Sequence, residues 1–177
     1  MNKNRFRLRL VALTTLLSAV VVSSVNGAIE LPAGTEVQIV FGQDVSSKYV
    51  APGQLLPIHL QGTVEVGGII VVKDGAKGSA LVKSVQAAGK GGKPGRVEVV
   101  LVELEPNGAY KAEGDIKVAL EAITGDNTGI IKAEGKGRKT LSYLFIFGLF
   151  IKGTEGVIEA DKPFPAKIKE DINILVE

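Results

Sequence analysis

Apolar residues at every second position, in short runs cut by glycine or proline, are the feature that most limits what this chain can fold into. Val37, Ile39 and Phe41 form one such row. Ile116, Val118, Leu120 and Ala122 form another, with Asp115, Lys117 and Glu121 on the opposite side, and Ala166, Ile168, Ile172, Ile174 and Val176 a third near the C-terminus. Successive side chains of a strand point to opposite faces, so each row lines one side of a sheet. Pro32-Ala33-Gly34, Pro52-Gly53, Gly67-Gly68, Asp74-Gly75, Pro106-Asn107-Gly108 and Gly125-Asp126-Asn127 supply turns between the runs, and they leave no room for a long stripe of 3.6-residue period. The fold this dictates is all-β: a small antiparallel barrel or sandwich, closed or partly open, of about 8–10 short strands. Closing the sheet would remove unprotected edges. Two runs, "VEVVLVEL" (97–104) and "IIVV" (69–72), are apolar on both faces and are expected to be covered on both sides.

The first residues, "MNKNRFRLRLVALTTLLSAVVVSSVNGA", set Lys3, Arg5, Arg7 and Arg9 ahead of an uncharged apolar run and then small residues. This is signal-peptide anatomy. It divides the chain into a leader at 1–27, cut after Gly27 or Ala28, and a single barrel-like domain at 28–177. An uncleaved anchor is the alternative, but an anchor needs roughly 20 apolar residues and the run from Leu10 to Val22 falls short. The leader holds four of the 21 Lys and Arg residues and none of the 19 Asp and Glu residues, so the mature chain carries 17 basic against 19 acidic side chains, a net charge of −2. Nucleic acid as the main partner loses its electrostatic basis, because that binding rests on dense positive charge displacing phosphate counterions. The chain has no cysteine. It therefore has neither a disulfide nor a thiol for a lipid anchor, and its stability must come from burial. The expected location is the periplasm, or an association with the outer membrane.

Few residues suit catalysis. His59 is the only histidine; without a cysteine or a second histidine it has no partner for nucleophile–base chemistry or a soft metal site, and a structural or surface role is the plainer reading. Glu103 and Glu105 share a strand face by spacing, yet nothing in the sequence shows a cleft that would separate their pKa values. "GDNTG" lacks the further ligands of a calcium loop and reads as a turn. "AGKGGKPGR" (88–96) matches neither the Walker nor the dinucleotide glycine pattern and is followed by a strand, so it reads as a hairpin loop. These readings lead to a non-enzymatic protein with no cofactor, no metal and no evident small-molecule substrate.

The segment 123–153 reads as a basic and aromatic insertion. It contains "KTLSYLFIFGLFIKG", which gathers Tyr143, Phe145, Phe147 and Phe150. As a helix, Leu141 to Ile151 would rise only about 16 Å; as a strand it would reach about 35 Å. Three readings stay open: a buried central strand, an exposed aromatic patch for a protein partner or for self-association, and membrane insertion shared among several subunits. Tyr143, Phe145, Phe147 and Phe150 are the candidate interaction residues. Arg138, Lys139 and Lys152, which bracket the block, are candidates for contact with an anionic surface.

The motifs "LPAGTEV", "SSKYVAPGQLLPIHLQGTVEVGG", "IIVVKDGAKGSAL" and "GKPGRVEVVLVELEPNGAY" resemble, in order and spacing, the C-terminal β-barrel domain of the scaffold subunit of type IV secretion and conjugation outer-membrane complexes. The likeness covers Leu31 to about Tyr110. It implies a periplasmic barrel that assembles as a ring, with a projecting segment from each subunit at the outer membrane; "DNTGIIKAEGKGRKTLSYLFIFGLFIKG" holds that place in chain order. The inner-membrane helix, the long proline-rich linker and the paired amphipathic helices of that family have no counterpart here. The resulting expectation is an exported scaffold or assembly component working through protein contacts. A periplasmic cell-wall or glycan-binding module is the alternative, although the chain has no tryptophan to stack on sugar rings. A carboxylate hydrolase ranks last.

Overall fold

The computed structural model describes residues 27–107, 116–137 and 152–176. Within them the chain is all-β, with thirteen strands and no helix. In chain order these are β1 (Gly27–Leu31), β2 (Glu36–Phe41), β3 (Val45–Ser46), β4 (Leu55–Gln61), β5 (Val64–Val66), β6 (Ile69–Val72), β7 (Lys77–Gln86), β8 (Arg96–Leu104), β9 (Val118–Ala122), β10 (Ile130–Glu134), β11 (Val157–Ile158), β12 (Phe164–Ile168) and β13 (Ile172–Val176). The number exceeds the sequence expectation because two-residue pieces, β3 and β11, pair with each other as a separate ribbon, and because β5–β6 and β1–β13 form further two-stranded sheets.

Six strands close an antiparallel barrel in the order β8-β7-β4-β2-β12-β9, with β9 returning to β8. Closure is possible because β8 divides one of its edges: residues Arg96 to Val100 pair with β10, while Glu103 and Leu104 pair with Ala119 and Val118 of β9. The other edge of β8 follows β7 from Gly78↔Leu104 to Gln86↔Arg96, with two register shifts that leave Val102 and Lys83 without a facing residue. Bulges of this kind bend the strand and increase its twist. β10 is the extra strand, paired on one side only. Residues 130–134 thus belong to the main sheet, although the sequence places them inside an insertion.

The barrel is filled by the rows that alternation marks. Val37, Ile39 and Phe41 are buried, as are Val118, Leu120 and Ala122. Phe41 and Phe164 meet edge to face, with ring centroids 5.7 Å apart and planes at 86°, a favoured geometry for the ring quadrupoles. The C-terminal row divides: Ala166 and Ile168 lie in β12 on the barrel, whereas Ile172 and Ile174 lie in β13, paired to β1. The expected cover on both faces of 97–104 is not found. Val97, Val99 and Leu101 point inward and are buried, but Val100 is half-buried and Val102 is 36% exposed. In β6 Val71 and Val72 are buried and Ile69 is exposed.

Candidate functional site: the root of segment 138–151

Tyr143, Phe145, Phe147, Phe150, Arg138 and Lys139 lie outside the described residues, and so does the leader expected at 1–27, except for Gly27. The points where the chain enters and leaves 138–151 are described, and they coincide. The amide of Thr154 donates to the carbonyl of Lys136 at 3.1 Å. The amide of Lys136 in turn donates to Thr154 Oγ1. Both ends then lock onto the 87–95 hairpin between β7 and β8: Gly153 N donates to Gly89 O (3.2 Å), Gly95 N to Thr154 O (2.9 Å) and Gly135 N to Gly95 O (2.8 Å). Lys90 and Lys152 form a bridge pair in the same junction.

Three backbone segments can approach so closely only where side chains are missing. A Cβ on Gly135 would run into the carbonyl of Thr154, and one on Gly153 into the carbonyl of Lys93. Within "AGKGGKPGR" the glycine that serves this junction is Gly95, where a Cβ would run into Ser47 Oγ, the Glu155 carboxylate and the Ala88 amide.

A polar clamp fixes this root to the barrel. Ser47, just after β3, is 2% exposed and donates from Oγ to Glu155 Oε2 at 2.8 Å. Its Oγ also accepts from the amide of Gly156 at 3.0 Å. The Ala88 amide donates to the same Glu155 oxygen at 2.8 Å. Glu155 Oε1, itself buried, faces the Lys152 ammonium at 3.1 Å. The amide of Ala88, the hydroxyl of Ser47 and the Lys152 ammonium hold the Glu155 carboxyl down to about 2, against the pull of burial in the other direction. Every group stabilises the ionised form, so the carboxylate is charged at any ordinary pH.

Lys152, a candidate surface contact, is exposed at the same time as it pairs with Glu155. Lys90, Lys93 and Lys136 surround it, exposed, with no ion pair among the described residues. Tyr49 beside Ser47 is 76% exposed, and the Lys48 ammonium lies 4.8 Å above its ring. The hydrogen bond to Tyr49 raises the Lys48 pKa. This end of the barrel is therefore basic.

The other sequence candidates fall apart in space. His59 is half-buried on β4, facing Val40 and Lys77. Glu103 pairs with Lys117 at 2.7 Å, while Glu105 lies exposed beyond the strand. The "GDNTG" turn is closed on itself: Asp126 accepts from Thr124, Thr128 and Lys132, and these bonds, Lys132's first, lower its pKa. A cleft of about 310 Å³ opens beside that turn, lined by Ile123, Ile130, Phe164 and Pro165 among others. Among the described residues no three of His, Asp and Glu gather as metal ligands would. Sequence reasoning missed Ser47 and Glu155. The only local hint is that Glu155 stands between glycines in "GTEG", a setting that admits close backbone approach.

Comparison with known protein families, with curated proteins and with solved structures found no match to this chain.

Proposed function

We propose that the protein is an exported, non-enzymatic β-barrel that acts as a scaffold or assembly component, with Tyr143, Phe145, Phe147 and Phe150 as its contact with a protein partner, including further copies of itself. The observation that carries this reading is the clamp at the root of 138–151. An ordinary surface loop needs no part-buried carboxylate, held by hydrogen bonds from a distant strand end and a neighbouring hairpin, to fix its ends. Here Ser47, Ala88 and Lys152 converge on Glu155 while the Gly156 amide donates to Ser47, and the place where the aromatic segment departs is thereby fixed on a rigid barrel. Aromatic side chains concentrate contact energy because they remove large apolar areas from water at little cost in rotamer freedom. The resemblance to the type IV secretion scaffold domain and the leader-like first residues support a location for such an assembly in the periplasm or at the outer membrane.

The test is the triple variant Phe145→Ser, Phe147→Ser, Phe150→Ser of the leader-free chain, sized by analytical ultracentrifugation with and without detergent. The wild type is expected to self-associate and the variant to sediment as a monomer with an unchanged melting temperature. A variant that unfolds would make the block part of the core and overturn the reading. So would one that associates like the wild type. A wild type that stays monomeric but is retained on purified peptidoglycan would replace it with the cell-wall reading.

A further inference from the structure

The end of the barrel from which 138–151 departs gathers lysines from separate stretches of the chain. Lys90 and Lys152 face each other as a bridge pair. The carbonyl of Lys93 accepts the Gly89 amide across the hairpin, and the carbonyl of Lys136 accepts the Thr154 amide. Lys48 follows Ser47 and lies within the field of Glu155. All of these lysine side chains are exposed. The carboxylate set among them, Glu155, is spent on Lys152. Arg96 and Glu134 offset each other at 3.0 Å. Asp44 and Glu159 follow only on the far side of the β3–β11 ribbon, where Asp44 accepts the Ala160 amide. Lys48, Lys90, Lys93 and Lys136 therefore keep their charge, with no ion pair among the described residues.

Two apolar side chains stand beside these charges. The Tyr49 amide donates to Ser46, and Ser46 pairs with Val157, which is exposed like Tyr49. The Lys48 ammonium reaches the Tyr49 hydroxyl at 3.0 Å, so the ring has a polar tip and an apolar body. Such rings, together with lysines, populate the boundary between water and lipid. The choice of cation points the same way. Carboxylates on a protein partner favour arginine, whose planar fork binds them bidentately. Here the free cations are lysines, compact charges on long stems that can follow mobile phosphates.

We propose that this end of the barrel docks on a bilayer of anionic lipid, with Lys48, Lys90, Lys93 and Lys136 at the headgroup phosphates and Tyr49 and Val157 at the boundary. The inference goes beyond the function proposed above and does not depend on it, since every docking residue lies outside 138–151. It also moves the anionic contact from Lys152, whose charge Glu155 takes, to its neighbours. Each lysine near an anionic bilayer strengthens partitioning roughly fivefold, and the attraction fades within about 8 Å at physiological salt. A barrel docked in this way turns the entry and exit of 138–151 toward the bilayer.

Co-sedimentation of the leader-free chain with vesicles tests the docking. Vesicles of phosphatidylcholine with phosphatidylglycerol at about one lipid in three should pellet the protein at low salt, and pure phosphatidylcholine should not. Raising NaCl to about 0.5 M should release it. The variant Lys90→Ala, Lys93→Ala, Lys136→Ala should melt as the wild type does and bind about a hundredfold more weakly. Because the chain has no tryptophan, Tyr49→Trp supplies a single fluorophore, whose emission should move to the blue on anionic vesicles and be quenched by brominated lipid. A wild type that ignores the vesicles, equal binding to both compositions, normal binding by the lysine variant or an unmoved emission would each overturn the inference. Lysine-dependent retention on immobilised polyglutamate, without vesicle binding, would overturn it in favour of an acidic protein partner. The triple Phe variant keeps the two readings apart. It should still pellet with anionic vesicles when its self-association is gone; complete loss of vesicle binding there would assign the lipid contact to the aromatic block and overturn the docking proposed for the lysines.

Discussion

Ser47 Oγ lies 2.8 Å from Glu155 Oε2 across 108 residues of sequence, and the same hydroxyl accepts the amide of Gly156. One buried side chain thus joins the β3–β11 ribbon to the segment that leaves 138–151. Replacing Ser47 with Ala strands a buried N–H and removes one of the donors to a carboxylate. The loss should be about 1–3 kcal/mol, read from the shift in urea midpoint at constant slope. A shift below about 0.5 kcal/mol, the level of an ordinary surface substitution, would show that the clamp is not structural.

The depressed Glu155 pKa sets the direction of a pH effect. Its carboxyl titrates near 4.5 when unperturbed and near 2 in the fold, so the stability it contributes is complete above the first value and disappears as pH falls through the second. Glu155→Gln should therefore be less stable than the wild type at pH 7, with the gap narrowing as pH drops from 4.5 toward 2. Thermal melts of both proteins across that range provide the check. A gap that stays constant would mean the interaction does not depend on the ionised form.

Gly153→Ala places a methyl group against the Lys93 carbonyl, which is main chain and cannot rotate away. The expected result is displacement of the 87–95 hairpin, seen as faster tryptic cleavage after Lys90, with a loss of about 1–3 kcal/mol. Gly125→Ala is the matched control, since a Cβ there meets nothing within 4 Å. It should change stability by less than about 0.5 kcal/mol.

Phe41 is fully buried against the edge of Phe164. Phe41→Ala should cost about 3–5 kcal/mol through lost burial and the cavity left behind. Its measure is the denaturant midpoint. A smaller loss would mean that the barrel collapses into the space.

The inward rows were legible because period two survives in them: Val37, Ile39 and Phe41 need only one face and one neighbour on each side. The C-terminal row misled at Lys169 to Asp171, where spacing continues but the chain turns from one sheet to another; Asp171 there accepts the Ala33 amide at 2.6 Å. The divided edge of β8 leaves no sequence trace, since register is set by partners far along the chain. The same distance hid the root clamp. Neither Ser47 nor Glu155 differs from an ordinary strand-end serine or loop glutamate until the fold brings them together. The doubly apolar character of 97–104 was read correctly, but cover on both sides does not follow within one subunit, and the discrepancy falls on the outward residues Val100 and Val102.

The manner in which the barrel shuts has a mechanical consequence. Glu103↔Ala119 and Leu104↔Val118 are the two pairings that join β8 to β9, whereas eight join β7 to β8. A hoop of six staves fastened at one joint by so short a latch will part at that joint first when it breathes. Amide hydrogens at 103–104 and 118–119 should then exchange with deuterium well before those of β7, and the gap would wet Leu104 and Val118 while the remaining staves keep their grip.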